Sequence, residues 1–426
     1  MSYSAIICEL KNLREHPNAD RLQLATVMGN TIVVGLDAIE GTLGVFFPTD
    51  GQLSEEFATA NDLVRRKDEH GNNVGGMFDA NRRVRAQSLR GQKSEGFWTE
   101  LQSLRNLDID TTTLAVGTQF TSLVNTHGET VPICNKYFSP QTLKAMNNRA
   151  NNTGKRINTL FPEHQDTAQL RFVISDIPRG SLITITEKIH GTSQRVANQL
   201  DEKIKMPPRW KFWKKPEVSE EYSHMVGTRR VILADRTHSG YYGSESWRFD
   251  AVYNLEDNLH KGEIVYGELV GYLPDGRPIM SNHDTSSLKD LKKVYGPKMH
   301  YSYGQEEGQC EFIIYRITNV SPDGFELDYS WPQVKARAAQ LGFNVVPELY
   351  PTFIYDGNEA ELQELVKTLG EGASLLDHRH ISEGVCLRVD SPDGKTNIYK
   401  DKSFAFKVME GIIKTDDAYV DLEEIS

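Results

Sequence analysis

The stretch Thr186-Glu187-Lys188-Ile189-His190-Gly191-Thr192-Ser193 decides how this chain is read. Its lysine stands at the end of a β-branched run, Leu182-Ile183-Thr184-Ile185-Thr186, and a glycine with two small hydroxyl residues follows. A primary amine is a nucleophile only when neutral, and a free lysine at pH 7 is almost wholly protonated. A reactive lysine therefore needs neighbouring cations or desolvation to lower its pKa. Gly191 lets the backbone turn sharply and approach a ligand closely, and Thr192 and Ser193 offer hydroxyl donors to phosphate or ribose. A lysine near a glycine is common, and an exposed strand-end lysine has the same local sequence. The weight of the octapeptide comes from what surrounds it.

The chain has 426 residues, a length that predicts two or three domains. Its hydrophobic content of 38 % and charged content of 25 % are those of a soluble globular protein. No apolar run approaches the ~20 residues of a membrane span, and the N-terminus has no signal-peptide core, so no membrane partner is expected. The cysteines Cys8, Cys134, Cys310 and Cys386 are far apart, with no CxxC pair and no clustered histidines. That usage fits a reduced compartment, cytoplasmic or the cytosol of a host cell if viral, and excludes a structural zinc site. The net charge of −11 is unusual for a nucleic-acid binder, but contacts are local and the basic residues cluster. The clusters are Arg65-Arg66-Lys67, Arg82-Arg83-Val84-Arg85 running on to Arg90 and Lys93, and Arg209–Lys215 with Trp210 and Trp213. Acidic residues concentrate elsewhere, in 217–221, 306–307, 359–364 and the tail from Asp416.

Residues 1–125 read as short strands broken by turns: Ala5–Leu10, Leu22–Val27, Thr31–Leu36 and Gly44–Phe47. A small β-barrel is the natural way to close such strands. The run His16-Pro17-Asn18-Ala19-Asp20-Arg21-Leu22 resembles the opening of OB-like tRNA-binding modules. Arg82, Arg83, Arg85, Arg90 and Lys93 fit either a solvated hairpin or a nucleic-acid surface. The flanking Phe78, Phe97 and Trp98 favour the surface, because phosphate-binding cations beside aromatic platforms are what OB-type binders use. Between 126 and 168 the pattern loses its period, and Asn147–Lys155 has a linker's composition. The second domain, 169–426, alternates strand-like runs with two helices, Trp331–Leu341 and Glu359–Leu369, whose apolar residues fall on one face. The segment 203–219, with Pro207-Pro208, reads as a loop insertion. The expected fold class is α+β: an OB-like barrel followed by a domain of antiparallel sheets with flanking helices.

The lysine-x-(His/Asp)-Gly core at Lys188 resembles motif I of the covalent nucleotidyltransferases, the ligases and capping enzymes that carry a nucleotide on lysine. Further motifs follow in that superfamily's order. Gly227-Thr228-Arg229-Arg230-Val231 resembles motif Ia, with Arg229 as the phosphate-contacting arginine. Ile264–Gly271 resembles motif III, and Glu268, on the strand face of Tyr266 and Ile264, takes the ribose. Glu311–Thr318 resembles motif IIIa, where one aromatic ring stacks on the purine: Tyr315 by the motif's spacing, with Phe312 left open and Arg316 standing where an aspartate is usual. Ser382-Glu383-Gly384 resembles motif IV, whose glutamate serves the divalent ion. Tyr399–Lys407 resembles motif V, with Lys400 and Lys402 on one strand face aimed at phosphate.

The resemblance is closest to the ATP-dependent RNA ligases with an N-terminal OB domain, which also carry the run His164-x-Asp166-Thr167. It implies ATP as substrate, AMP carried covalently on Lys188, Mg2+ or Mn2+, and RNA, an RNA/DNA hybrid or a nicked duplex as partner, acting as a monomer. The rival readings are a GTP-using capping guanylyltransferase and a non-catalytic RNA-binding protein on the same fold.

Overall fold

Strict alternation of buried and half-exposed side chains makes Asn30–Gly35 a strand, and it pairs antiparallel with Leu22–Val27. Met28 and Gly29 both have positive φ, 47° and 69°, the conformation that a two-residue hairpin turn needs. The computed structural model describes residues 3–150, 156–205, 217–286 and 288–413. The Arg209–Lys215 run, most of the 203–219 insertion and the acidic tail from Asp416 lie outside the described residues. The chain divides into two units. The described residues of Met1–Gln141, Ala360–Glu364 and Ser403–Tyr419 form one, and those of Thr142–Glu359 and Leu365–Lys402 the other.

In the first unit, Phe97–Glu100, Leu43–Phe47, Ala5–Glu9 and Gln119–Phe120 form one antiparallel sheet in that order. Lys11–Glu15, Leu22–Val27 and Asn30–Gly35 form a second. Cys134–Lys136, Gly51–Leu53 and Arg83–Val84 form a third, so pairing with the first unit continues into the stretch that composition marks as a linker. The same stretch carries the helix Pro140–Ala150. Each of these strand orders is open, and among the described residues no sheet closes on itself. The core is aromatic: the Phe47 ring lies 5.1 Å from Phe57 and 5.8 Å from Phe97, and Phe78 meets Phe97 edge-on at 4.9 Å. Trp98 is buried in a neighbouring apolar cluster with Phe46 and Ile32. The expectation that Phe78, Phe97 and Trp98 flank the basic cluster as stacking platforms is therefore corrected. Phe97 and Trp98 from their strand, and Phe78 from its bridge to Val64, pack into or against the core.

The helix Phe404–Ile413 completes this unit, and sequence periodicity did not single it out. Phe406 and Met409 are buried in it. Arg83, its side chain only 2 % exposed, donates from Nη1 to the Gly411 carbonyl at 2.8 Å and lies over the Tyr137 ring. Lys93 Nζ stands 4.9 Å from the Phe404 ring centroid. Lys407 Nζ is 2.8 Å from Glu95 Oε2, with both side chains buried. A buried charge is tolerated only when compensated.

The second unit holds two five-stranded sheets. One runs Glu217–Gly227, Thr192–Lys205, Glu263–Gly271, Cys310–Val320 and Glu326–Asp328, all antiparallel. The other runs Ala168–Gln169, Thr396–Lys402, Gly384–Asp390, Leu182–Lys188 and Glu348–Ile354, antiparallel except for its first pair. Trp331–Leu341 is a helix over the predicted bounds, started by a Ser330–Gln333 capping box and ended by Gly342 at φ 78°. Its Val334, Ala338 and Leu341 are buried, as the spacing predicts. The other predicted helix is Glu359–Gly370, of which Ala360–Glu364 count with the first unit; Leu362 and Val366 are buried. The fold is thus mixed α+β with mostly antiparallel sheets. Among the described residues no helix is long and apolar enough to cross a membrane, and all four cysteines are free.

Lys407→Met removes a cation from the buried Glu95 carboxylate and is expected to destabilise the protein by about 3 kcal/mol in denaturant unfolding. Adding Glu95→Leu should recover most of that loss; a double variant as unstable as the single one would contradict a charge-driven role.

Candidate active site

The octapeptide joins the two sheets of the second unit. Lys188 ends the strand Leu182–Lys188 in one sheet, Thr192 opens Thr192–Lys205 in the other, and only Ile189, His190 and Gly191 lie between. The turn is tight against its neighbour. A Cβ on Gly191 would stand 2.6 Å from the Leu269 carbonyl and 3.0 Å from Val270 Cγ1. Glycine is needed here for space.

Register places the reactive groups. Lys188 pairs with Gly384, and Gly384 pairs with Lys402, so three adjacent strands present one row at the sheet's end. Glu383 immediately precedes this row and is fully buried. Its Oε1 lies 2.7 Å from Lys188 Nζ and 3.3 Å from Lys402 Nζ, and its Oε2 lies 3.6 Å from His190 Nδ1. Lys400 pairs with Cys386, which pairs with Thr186, one step along the same face. The Cys386 thiol reports this surrounding: burial pushes it up to about 11, opposed by Lys188 and Lys400 and assisted by Glu383 and Glu268.

Glu268 sits on the strand Glu263–Gly271 opposite Ser193. Ser193 Oγ donates to Glu268 Oε1 at 2.8 Å, so the octapeptide's last residue orients the carboxylate. Glu268, Tyr266 and Ile264 share a face with Ser193, Arg195 and Ala197, as their pairing requires.

Tyr315 comes to this face by a β-bulge. Tyr266 pairs with Arg316 and Gly267 with Ile314, leaving Tyr315 as the extra residue. Its ring packs with Tyr266 and Phe161, while Phe312 is buried on the opposite face against Phe343. The Tyr315 hydroxyl is hydrogen-bonded to His164 Nδ1. Burial raises the Tyr315 phenol well above its ordinary value, with the Glu268 carboxylate adding to it. Burial likewise drives the His164 imidazole well below 6.5, reinforced by Arg195, Arg229 and Arg316, so it is neutral at pH 7. Arg229 is anchored by the same segment: its Nη2 donates to Asp166 Oδ1 at 2.6 Å, and its carbonyl accepts from the His164 N–H at 3.2 Å. Arg316, standing where an aspartate is usual, is tied to Asp328 and Glu326 and lies over the Tyr266 ring.

Lys188, Lys400 and Lys402 are thus gathered on one sheet with Glu383 at its end; Glu268 and Tyr315 lie on the other, and Arg229 follows the end of its strand Glu217–Gly227. Of the basic cluster in the first unit, Arg82 donates to the Leu53 carbonyl, Arg85 stands 3.9 Å from Asp79, and Arg90 and Lys93 are exposed. Arg83 is corrected: buried under the helix Phe404–Ile413, it presents nothing to solvent. Sequence reasoning missed the parts of Ser193 and Asp166. The His164-x-Asp166 run was the available signal: its histidine reaches Tyr315 and its aspartate Arg229.

The RNA ligase family model matches residues 181–409. No curated protein sequence matches the chain. Among solved structures, Naegleria gruberi RNA ligase with PPi is 16 % identical with a TM-score of 0.55, covering 94 % of this chain and 97 % of that one. A lysine-to-alanine mutant of the same Naegleria gruberi enzyme with ATP and Mn is 16 % identical at TM-score 0.56, covering 95 % and 98 %. A lysine-to-methionine mutant with AMP and Mn is 16 % identical at 0.55, again covering 95 % and 98 %. At that identity the likeness is one of fold; the family model, which covers more than half of the sequence and spans every motif from Lys188 to Lys402, makes this chain a member of the RNA ligase family.

Proposed function

We propose that the protein is an ATP-dependent RNA ligase that seals a 3′-hydroxyl to a 5′-phosphate through AMP carried on Lys188. The observation that carries this reading is the row at the sheet junction, where Lys188 Nζ and Lys402 Nζ share one buried Glu383 oxygen at 2.7 and 3.3 Å. Lys400 and Lys402 stand ready to neutralise charge developing on phosphate. The Naegleria gruberi structures with ATP and with AMP support ATP as the nucleotide here.

On this reading the Lys188 amine attacks the α-phosphorus of ATP and displaces pyrophosphate. The AMP passes to an RNA 5′-phosphate, and a 3′-hydroxyl then attacks that end and releases AMP. Arg229 holds phosphate from its anchor on Asp166, and Glu268 holds the ribose, oriented by Ser193. Tyr315 stacks on adenine with its hydroxyl tethered to His164. Positioning and fixed charge supply most of the catalysis. Among the described residues no group of three or more His, Cys, Asp or Glu could hold a metal by itself. Glu383 therefore fits an ion held chiefly by phosphate oxygens and water, as Mg2+ or Mn2+ is in nucleotide enzymes. When bound, such an ion supplies positive charge at the phosphates.

The first unit is read as an OB-like RNA-binding module, supported by its short antiparallel strands and by Arg82, Arg85, Arg90 and Lys93. We read 1–125 as that module, 126–168 as the connection and 169–426 as the nucleotidyltransferase domain. RNA, an RNA/DNA hybrid or a nicked duplex would then lie on the first unit, with the enzyme acting as a monomer in the cytoplasm.

The sealing reaction tests the proposal. Wild-type protein with ATP and Mg2+ or Mn2+ should join a 5′-phosphorylated RNA to a 3′-hydroxyl end. Lys188→Ala should lose that activity yet still seal a pre-adenylylated RNA, in which the lysine's bond has already been bypassed. Sealing that needs GTP, or no sealing of either substrate by folded wild-type protein, would overturn the reading. Gly191→Ala should slow formation of the AMP adduct by roughly 10- to 100-fold, because the turn must move off the Leu269 carbonyl and carry Lys188 with it. Single-turnover labelling at the wild-type rate would refute that crowding.

His164 gives a pH-dependent expectation. Its folded-state pKa lies well below the 6.5 of the unfolded chain, so between those values the unfolded state binds the extra proton. The stabilisation is present above about pH 6.5 and is lost as pH falls below it. Thermal melting of wild type should therefore decline more steeply than that of His164→Gln between pH 7 and about pH 5.5; parallel profiles would show that the imidazole is not held neutral.

A further inference from the structure

The turn that carries Lys188 is propped by a tyrosine that no motif predicts. Tyr303 is 3 % exposed, and its backbone is left-handed, with φ of 51°. A bulky L-residue seldom takes that conformation, and it persists only where its surroundings over-determine it. Here they do. Ser302 Oγ donates to Asp377 Oδ2 at 2.6 Å, and the Gly304 N–H donates to the same oxygen at 3.0 Å. Arg379 completes the clamp, donating from Nε to Asp377 Oδ1 at 2.8 Å and from Nη2 to Ser302 Oγ at 3.1 Å. Burial by itself would raise the Asp377 carboxyl, yet Arg379 and Ser302 hold it well below the usual range, so the anchor stays ionised. The Tyr303 ring packs edge-on against the buried His380 ring at 4.5 Å.

What this clamp presents is a hydroxyl. Tyr303 Oη accepts a hydrogen bond from the backbone N–H of His190 at 2.6 Å, inside the three-residue turn between Lys188 and Thr192. Burial, with Glu383 and Glu187 nearby, holds the phenol well above its ordinary value, so the oxygen stays a neutral acceptor. Two residues earlier, the Tyr301 ring stands edge-on to the His190 ring at 4.8 Å, and the Tyr301 hydroxyl is hydrogen-bonded to His283 Nδ1 at 2.6 Å. The loop 301–304 therefore grips His190 at both ring and backbone.

We propose that Tyr303 is a positioning residue for the lysine nucleophile: its strained, Asp377-clamped backbone holds its hydroxyl under the His190 peptide and so fixes where Lys188 Nζ points. The proposal rests on the reading of Lys188 as the residue that takes AMP. Removing the hydroxyl leaves a buried N–H without its acceptor and frees the peptide to rotate. A nucleophile displaced by even ~1 Å loses much of its rate.

Single-turnover transfer of labelled AMP from ATP to wild type, Tyr303→Phe and Lys188→Ala tests this, alongside sealing of pre-adenylylated RNA. Tyr303→Phe should form the adduct roughly 10- to 100-fold more slowly at saturating ATP, with half-saturation by ATP changed less than about twofold. Its sealing of pre-adenylylated RNA, in which Lys188 makes no bond, should fall less than about threefold. An unchanged adduct rate, or equal losses in both steps, would overturn the proposal, the second because it would mark general collapse of the pocket. Absence of any wild-type adduct would instead overturn the ligase reading. Should Tyr303→Phe fail to fold, Ser302→Ala, which keeps the hydroxyl but slackens the loop's hold on Asp377, should slow adduct formation selectively; a wild-type rate there would count against the proposal.

Discussion

A wholly buried carboxylate shared by two ammonium groups is the interaction on which the rest of the second unit depends. Glu383 cannot be sequestered from water uncompensated. Lys188 and Lys402 compensate it from the strands on either side of its own, and the Lys188–Gly384–Lys402 register brings both there. Pairing thus fixes the lysine's place to within a hydrogen bond before any substrate arrives. The three-residue turn to Thr192 then commits the second sheet, because its first strand starts where the lysine's strand stops. Glu268 follows through Ser193, and Tyr315 through the bulge next to Tyr266. Local sequence, register and site chemistry are consistent along this path, as a funnelled fold requires.

Much of this was legible in the sequence because strands and short helices write their burial into their period. Trp331–Leu341 carries a capping Ser330 and a left-handed Gly342, and its bounds agree with the structure residue for residue. Glu268 could be set on the face of Tyr266 by counting in twos, since the strand Glu263–Gly271 has no bulge between them. Lys11–Glu15 was not legible, because it is almost wholly exposed and has no apolar residue to mark a period beyond Leu13. The bulge was not legible either, since one extra residue at Tyr315 leaves no compositional trace, although it decides which face the ring takes.

The basic hairpin shows where reading charge as function goes astray. Arg83 lies in one cluster with Arg82, Arg85, Arg90 and Lys93, yet it is buried and binds the carbonyl of Gly411. That partner lies 328 residues away in sequence, and such a contact has no local signature. The same is true of Tyr303, whose strained backbone and hydrogen bond to His190 appear only in three dimensions. By contrast, His164-x-Asp166 was visible as a spacing, and the structure supplies what it reaches: Tyr315 and Arg229.

The central claim is that the amine held by Glu383 is the one that forms the bond to phosphorus. Incubation of the full chain with ATP and a divalent cation, followed by peptide mapping by mass spectrometry under conditions that preserve a phosphorus–nitrogen bond, tests it most directly. The account predicts AMP on the peptide that contains Lys188, attached to that side chain and to no other lysine. AMP on a different residue, or a folded and nucleotide-bound protein that never acquires it, would contradict the account.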